Sequence, residues 1–295
     1  MGRPRNSRPQ LTRDSLGDTT VTNGHRVPTA VFLGALSFAG GAAPAQVALD
    51  VPALRGLYDS SFARIAEALP AGADSAPSPY WPLWAIAQFR RDRVAWAELR
   101  GEQYFAVRAG PAPRAWLVIV PPDAPAAARM RGTMQLDPTA TILVAQIAFQ
   151  SVTTEWAGIF LSRQLSLLAD YALGATSILV TDEQHYLTEF RGYQIELIAA
   201  DLLARGRLRN AIDSLFRATQ VASLDQLAQL VRGLTPRELR ILDDSALSAP
   251  PRSEAERTLR NGFLAAALTV RYCEITCTSQ EGMVAAMRRV FPRAP

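Results

Sequence analysis

The stretch TTEWAGIFLSRQLSLLADY, residues 153–171, decides how the rest of the chain is read. It runs apolar with helical spacing from Thr153 to Tyr171. Ile159, Leu161, Leu165 and Leu168 would pack into a core. Shortly after Tyr171 the chain reaches Gly174, a residue suited to end a helix. Two polar residues, Arg163 and Gln164, interrupt the apolar run near its middle. On one reading they face water. On the other they are buried and carry the chemistry of the molecule.

Outward from this helix the pattern changes on each side. Upstream, residues 103–108 (QYFAVR) and 114–120 (RAWLVIV) read as strands of a hairpin, and residues 139–148 (TATILVAQIA) as a third strand. Residues 47–69 and 80–99 read as helices, the second rich in Trp (Trp81, Trp84, Trp96) and expected to pack on the core. The intervening residues 70–79 are rich in Ala, Gly, Ser and Pro and read as a loop. Downstream, residues 177–180 suggest a short strand and residues 182–204 a second long helix. The remainder is helical. Ser223, Ser253 and Ser279 are caps, and Thr235-Pro236-Arg237-Glu238 is a capping box with proline in the first turn. The fold class expected is α+β and mostly helical: a small, mainly antiparallel sheet packed on a central helix, with a helical C-terminal half. The expected divisions are a leader (1–45), N-terminal helices (46–100), the sheet with two core helices (101–205) and a C-terminal helical region (206–295). The alternative is one continuous domain over 46–295.

Composition narrows the function. All 31 basic residues are Arg and the chain has no Lys, which excludes Schiff-base chemistry and a phosphate loop. Five Arg and two Asp lie in residues 1–45, so most of the formal charge of +4 sits there and the rest is nearly neutral. Nucleic-acid binding is therefore not expected, although residues 223–242 place two short helices around Gly233-Leu234-Thr235-Pro236 in helix-turn-helix style. Residues 22–46 have the form of an export signal: Arg26, an apolar run over 27–41, and Ala43-Pro44-Ala45 as a small-x-small site. Cleavage after Ala45 would leave a periplasmic or extracellular chain with no integral membrane segment. The only cysteines, Cys273 and Cys277, are one helical turn apart. They are either bridged, which requires a helix break there, or buried as thiols.

FLSRQLSLLAD resembles the metal-binding helix of zincin-like zinc peptidases, whose His-Glu-x-x-His pattern holds zinc on one helix face and activates water with the Glu. The order of small sheet, central helix and second helix is similar as well. The resemblance places Arg163 at the first His, Gln164 at the Glu and Leu167 at the second His, with Asp170 at a following acidic position. On the next helix, TEFRGYQIEL (188–197) is similar to the segment that supplies the third ligand, with Glu189 in that place and Gly192 and Tyr193 beside it. Glu196, seven residues on, shares the face of Glu189.

Arg163 is permanently cationic, Leu167 has no donor atom, and Gln164 cannot take a proton as a base. The resemblance thus implies a pseudoenzyme without metal or other cofactor, binding a protein or peptide partner in the cleft between the two long helices. Arg163 would occupy the metal position and pair with Glu189 or Glu196. The alternatives are a plain helical periplasmic binding or scaffold protein, and a hydrolase using the remaining carboxylates. His185, beside Asp182 and Glu183, reads as a surface residue near a helix start.

Overall fold

The computed structural model describes residues 50–99, 101, 103–110, 115–125, 127, 134–137, 141–149, 152–174, 181–244, 247 and 254–292. The export signal with cleavage after Ala45, the strand at 177–180 and the cap at Ser253 lie outside the described residues.

Asp50 starts the first helix, α1 (Val51–Ala68), by accepting a hydrogen bond from the Ala53 N–H at 2.7 Å, with Pro52 in the first turn. α1 buries Leu54, Tyr58, Phe62 and Ile65 at helical spacing. α2 (Trp81–Arg93) follows and ends earlier than its aromatic pattern suggests. Val94–Trp96 is an edge strand, β1, not the last turn of a helix. The cause is tertiary: Val94, Ala95 and Trp96 pair with Ala109, Arg108 and Val107, and the Trp96 ring meets Phe105 edge-on, with centroids 4.7 Å apart.

β2 (Phe105–Ala109) and β3 (Ala115–Val120) pair antiparallel, as a hairpin should. A short strand with no sequence signal, β4 (Met134–Asp137), precedes β5 (Thr141–Ala145) and pairs with it antiparallel. β5 lies parallel to β3, so the five-stranded order is β1-β2-β3-β5-β4 and three of the four pairings are antiparallel. Successive residues of β2 and β3 point to opposite faces. Phe105, Val107, Leu117 and Ile119 join the main core, whereas Ala106, Val118 and Val120 form a small cluster with Tyr104 and Ala124 on the other face.

A turn of 3-10 helix (Gln146–Phe149) leads to the central helix, α3 (Thr154–Ala172). Thr153 caps it by accepting from the Trp156 N–H at 3.3 Å, and Gly174 follows its end in the left-handed region (φ +71°). α3 lies on β2 and β3, with α1, α2 and α4 around its other sides. Every residue from Trp156 to Ala169 is consequently buried. α1 comes close because residue 158 is glycine: a Cβ there would sit 3.2 Å from the Ser61 carbonyl oxygen.

α4 (Asp182–Leu203) begins with a capping box in which Thr181 and Gln184 satisfy each other's backbone N–H groups. α5 (Arg207–Thr219), α6 (Leu224–Arg232), α7 (Pro236–Asp244), α8 (Glu254–Thr276) and α9 (Gln280–Val290) complete the chain. α8 and α9 pack on α4. The fold is thus mostly helical α+β, with a small mixed sheet on the central helix and a helical C-terminal half. Among the described residues no helix is long and apolar enough to cross a membrane.

Candidate functional site

α3 and α4 pack more intimately than any other pair of helices, and glycine at position 192 is part of the reason. A Cβ at Gly192 would lie 3.1 Å from Arg163 Cγ and 3.6 Å from Leu167 Cδ2. Its absence lets the α4 backbone settle on these two side chains. Positions 163 and 167 of α3 therefore meet positions 189, 192 and 193 of α4 along one seam.

Among the described residues, Arg163 is the largest side chain that is essentially sealed from solvent, at 1% exposure. Its Nη2 donates to Glu189 Oε2, and its guanidinium carbon lies 4.0 Å from the centre of the Tyr193 ring. The Tyr193 ring also stacks on Phe291, with centroids 5.3 Å apart. Arg163 Nε finds no hydrogen-bond partner. Burial alone would lower the pKa of this guanidinium, but attraction to Glu189, Tyr193 and Glu196 outweighs it, so Arg163 is held more firmly as a cation.

Glu189 and Glu196 are both buried, each 5% exposed. Glu189 is the one that meets the guanidinium, and Glu196 lies seven residues farther along the same helix. Burial is the main reason that the Glu196 carboxyl is pushed up to about 7; Glu189 adds to the rise, and Arg163 opposes it. The Tyr193 hydroxyl is driven well above its ordinary range, again chiefly by burial, with Glu189 and Glu196 contributing and Arg163 acting against them.

The other expected site residues divide. Leu167 packs in the seam against Gly192, as an apolar filler. Asp170 sits at its edge, 3.4 Å from Arg191 Nη2, and burial raises its carboxyl despite that cation. Gln164 does not join the cluster. It is 0% exposed, and neither its amide oxygen nor its nitrogen has a hydrogen-bond partner. The alternative in which Arg163 and Gln164 face water is therefore not what the structure shows. His185 is not a surface residue either: it is buried, with its ring 5.9 Å from that of Tyr186. α9 packs on α4, and its Arg288 lies over the neighbouring Tyr186 ring.

Cys273 and Cys277 are joined by a disulfide. The bridge falls where α8 stops, at Thr276, so only Cys273 is within the helix. One buried charge pair escaped the sequence reading. On α8, Arg260 Nη2 donates to Glu256 Oε1 at 2.7 Å, both side chains being buried, and the guanidinium lies 5.1 Å from the Trp156 ring. The four-residue spacing in EAERTLR was the available signal.

The seam does not fit a zinc ion. Its α3 contribution is a guanidinium and a leucine, neither of which donates to a metal. Among the described residues no group of three or more His, Cys, Asp or Glu could hold a metal ion. The expected cleft between the two helices is filled by Arg163, Leu167 and Tyr193 themselves. No protein-family model, curated protein or solved structure matches this chain.

Proposed function

We propose that the chain is an exported, non-catalytic binding protein built on a zincin-like helix pair whose metal chemistry has been replaced by a buried ion pair. One observation carries this reading. The three positions where the resemblance would put zinc ligands, 163, 167 and 189, lie on two separate helices and meet along one seam, and the first and last of them are a cation and its counter-ion. An internal guanidinium supplies there the positive charge a metal would otherwise provide. The disulfide at the end of α8 supports an oxidising compartment, in keeping with export.

Because the seam is closed, a partner must engage another surface. A groove of about 580 Å³ runs between the start of α1 and the turn after β3, lined among others by Asp50, Tyr104, Asp123 and Gln146. It has room for a short stretch of peptide, and its two carboxylates favour one with a basic side chain.

The test is to write the metal motif back. The triple variant Arg163→His, Gln164→Glu, Leu167→His, refolded with zinc, is expected to retain one zinc per chain with Glu189 as third ligand, whereas the parent chain retains none. A triple variant with native circular dichroism that takes up no zinc would contradict the zincin-like ancestry of the seam. The plain helical scaffold would then be the better reading. The filling of the cleft by its own side chains is the observation that favours that second reading.

A further inference from the structure

α7 and α8 pack against each other and leave a cavity of about 230 Å³ between them. Arg257, Arg260 and Asn261, spaced by three and four, bring one face of α8 to it. From α7 come Leu239, Arg240 and Leu242. Three arginines therefore line one small space, and among the described residues no carboxylate lines it.

The arginines differ in depth. Arg260 is 3% exposed and closes the inner end. Its Nη2 donates to Glu256 Oε1 at 2.7 Å, and its guanidinium lies 5.1 Å from the Trp156 ring. The Trp156 indole is fixed in turn, donating to the Leu247 carbonyl oxygen at 3.1 Å. Arg240 and Arg257 are exposed and stand at the mouth. The nearest acid along α7, Glu238, is turned to the helix start, where its Oε2 accepts from the Thr235 N–H at 2.9 Å. Asn261 brings one more polar group: its Oδ1 is buried and meets no donor.

We propose that the α7–α8 cavity binds a small organic carboxylate, with its apolar body between Leu239 and Leu242 and its anionic head at Arg240 and Arg257. The guanidinium fork matches a carboxylate in two parallel hydrogen bonds. The charge of Arg260 is already answered by Glu256, so the two arginines at the mouth set the demand for an anion. A singly charged head on an apolar body suits this wall better than a free, strongly hydrated phosphate. The size is right for a body of one ring, since a dry cavity of about 150 Å³ suffices for benzene. Asn261 Oδ1 leaves one polar contact for the ligand to fill. The cavity shares no residue with the groove of Asp50 and Asp123 or with the α3–α4 seam, so this inference does not rest on the zincin-like reading.

The experiment is an NMR titration of the full chain with benzoate, following the methyl groups of Leu239 and Leu242. Both should shift and saturate with a Kd on the order of 1 mM, as ligands of this size reach. Benzyl alcohol, which keeps the ring and lacks the charge, and inorganic phosphate, which has charge and no ring, should each bind at least about tenfold more weakly. The double variant Arg240→Gln, Arg257→Gln changes two exposed positions and should weaken benzoate about tenfold or more while circular dichroism stays native. Leu239→Phe narrows the cavity without touching a charge and should weaken benzoate as well, which provides a second variant should the first fail to fold. The proposal is overturned if the two leucines do not respond at about 10 mM benzoate, well above the expected Kd. It is overturned equally if benzyl alcohol or phosphate binds as tightly as benzoate, or if a folded variant binds benzoate like the parent chain.

Discussion

Two buried arginine–glutamate pairs, one in the α3–α4 seam and one on α8, are made of the same groups and are built differently. Arg260 and Glu256 lie four residues apart on a single helix, so forming that helix brings them together. Arg163 and Glu189 come from different helices, 26 residues apart, and meet only when α3 and α4 pack. Glu256 is the third residue of α8, where the helix dipole and the free N–H groups of the first turn favour a negative charge. Glu189 is well inside α4 and has no such support. Its counter-ion is Arg163. The first pair decorates a helix that the sequence already specifies, whereas the second joins two helices and makes their packing depend on charge.

The largest expected effect separates the pairs directly. Arg163→Ala strands Glu189 without its cation and opens a hole beside Tyr193, and should cost about 3–5 kcal/mol in denaturant unfolding. Arg260→Ala also removes a buried cation, but the dipole of α8 still supports Glu256, so a loss of about 1–3 kcal/mol is expected. Equal losses would show that the helix end contributes nothing to the difference.

The next effect runs in the opposite direction. Gln164 is a buried amide with no partner for either polar atom. Gln164→Met, which keeps the length and removes both groups, should stabilise the chain by about 1–2 kcal/mol. A loss of stability would mean that the amide is satisfied in solution.

The smallest effect uses glycines as a probe of the seam. In Gly192→Ala the new methyl group presses on Arg163 Cγ, and that side chain is pinned by Glu189 and Tyr193. The gain in helix propensity should be cancelled and a net loss of about 1 kcal/mol should remain. Gly56→Ala, in α1 with nothing within 4 Å, should instead stabilise by about 0.5–1 kcal/mol. Thermal unfolding of both variants would show whether the seam is as tight as the geometry requires.

Much of the fold is legible in the sequence because it rests on local signals. Ser223 and Ser279 each accept a backbone hydrogen bond at the start of a helix, as their places in the sequence suggest. The strands β3 and β5 announce themselves by β-branched runs, and β2 by its place one short loop before β3. β1 does not, because Trp96 continues the aromatic spacing of α2 and only pairing with β2 draws it into the sheet. β4 is four residues long at a sheet edge and too short to show a pattern.

Part of the seam was legible in the sequence. Of the residues it names, Arg163, Leu167, Glu189 and Tyr193 meet there, whereas Gln164 makes no hydrogen bond to them. The burial of Arg163 could not be read from periodicity, because α3 is wrapped on all sides and every residue from Trp156 to Ala169 is buried.

A double-mutant cycle between Arg163 and Glu189, using Arg163→Met, Glu189→Gln and the pair together, addresses the seam most directly. A charge-dependent junction between α3 and α4 predicts that the double variant is more stable than the sum of the single losses implies, with a coupling of about 1.5–3 kcal/mol. Losses that add to within about 0.5 kcal/mol would mean that the two side chains are buried neighbours without a shared energetic role.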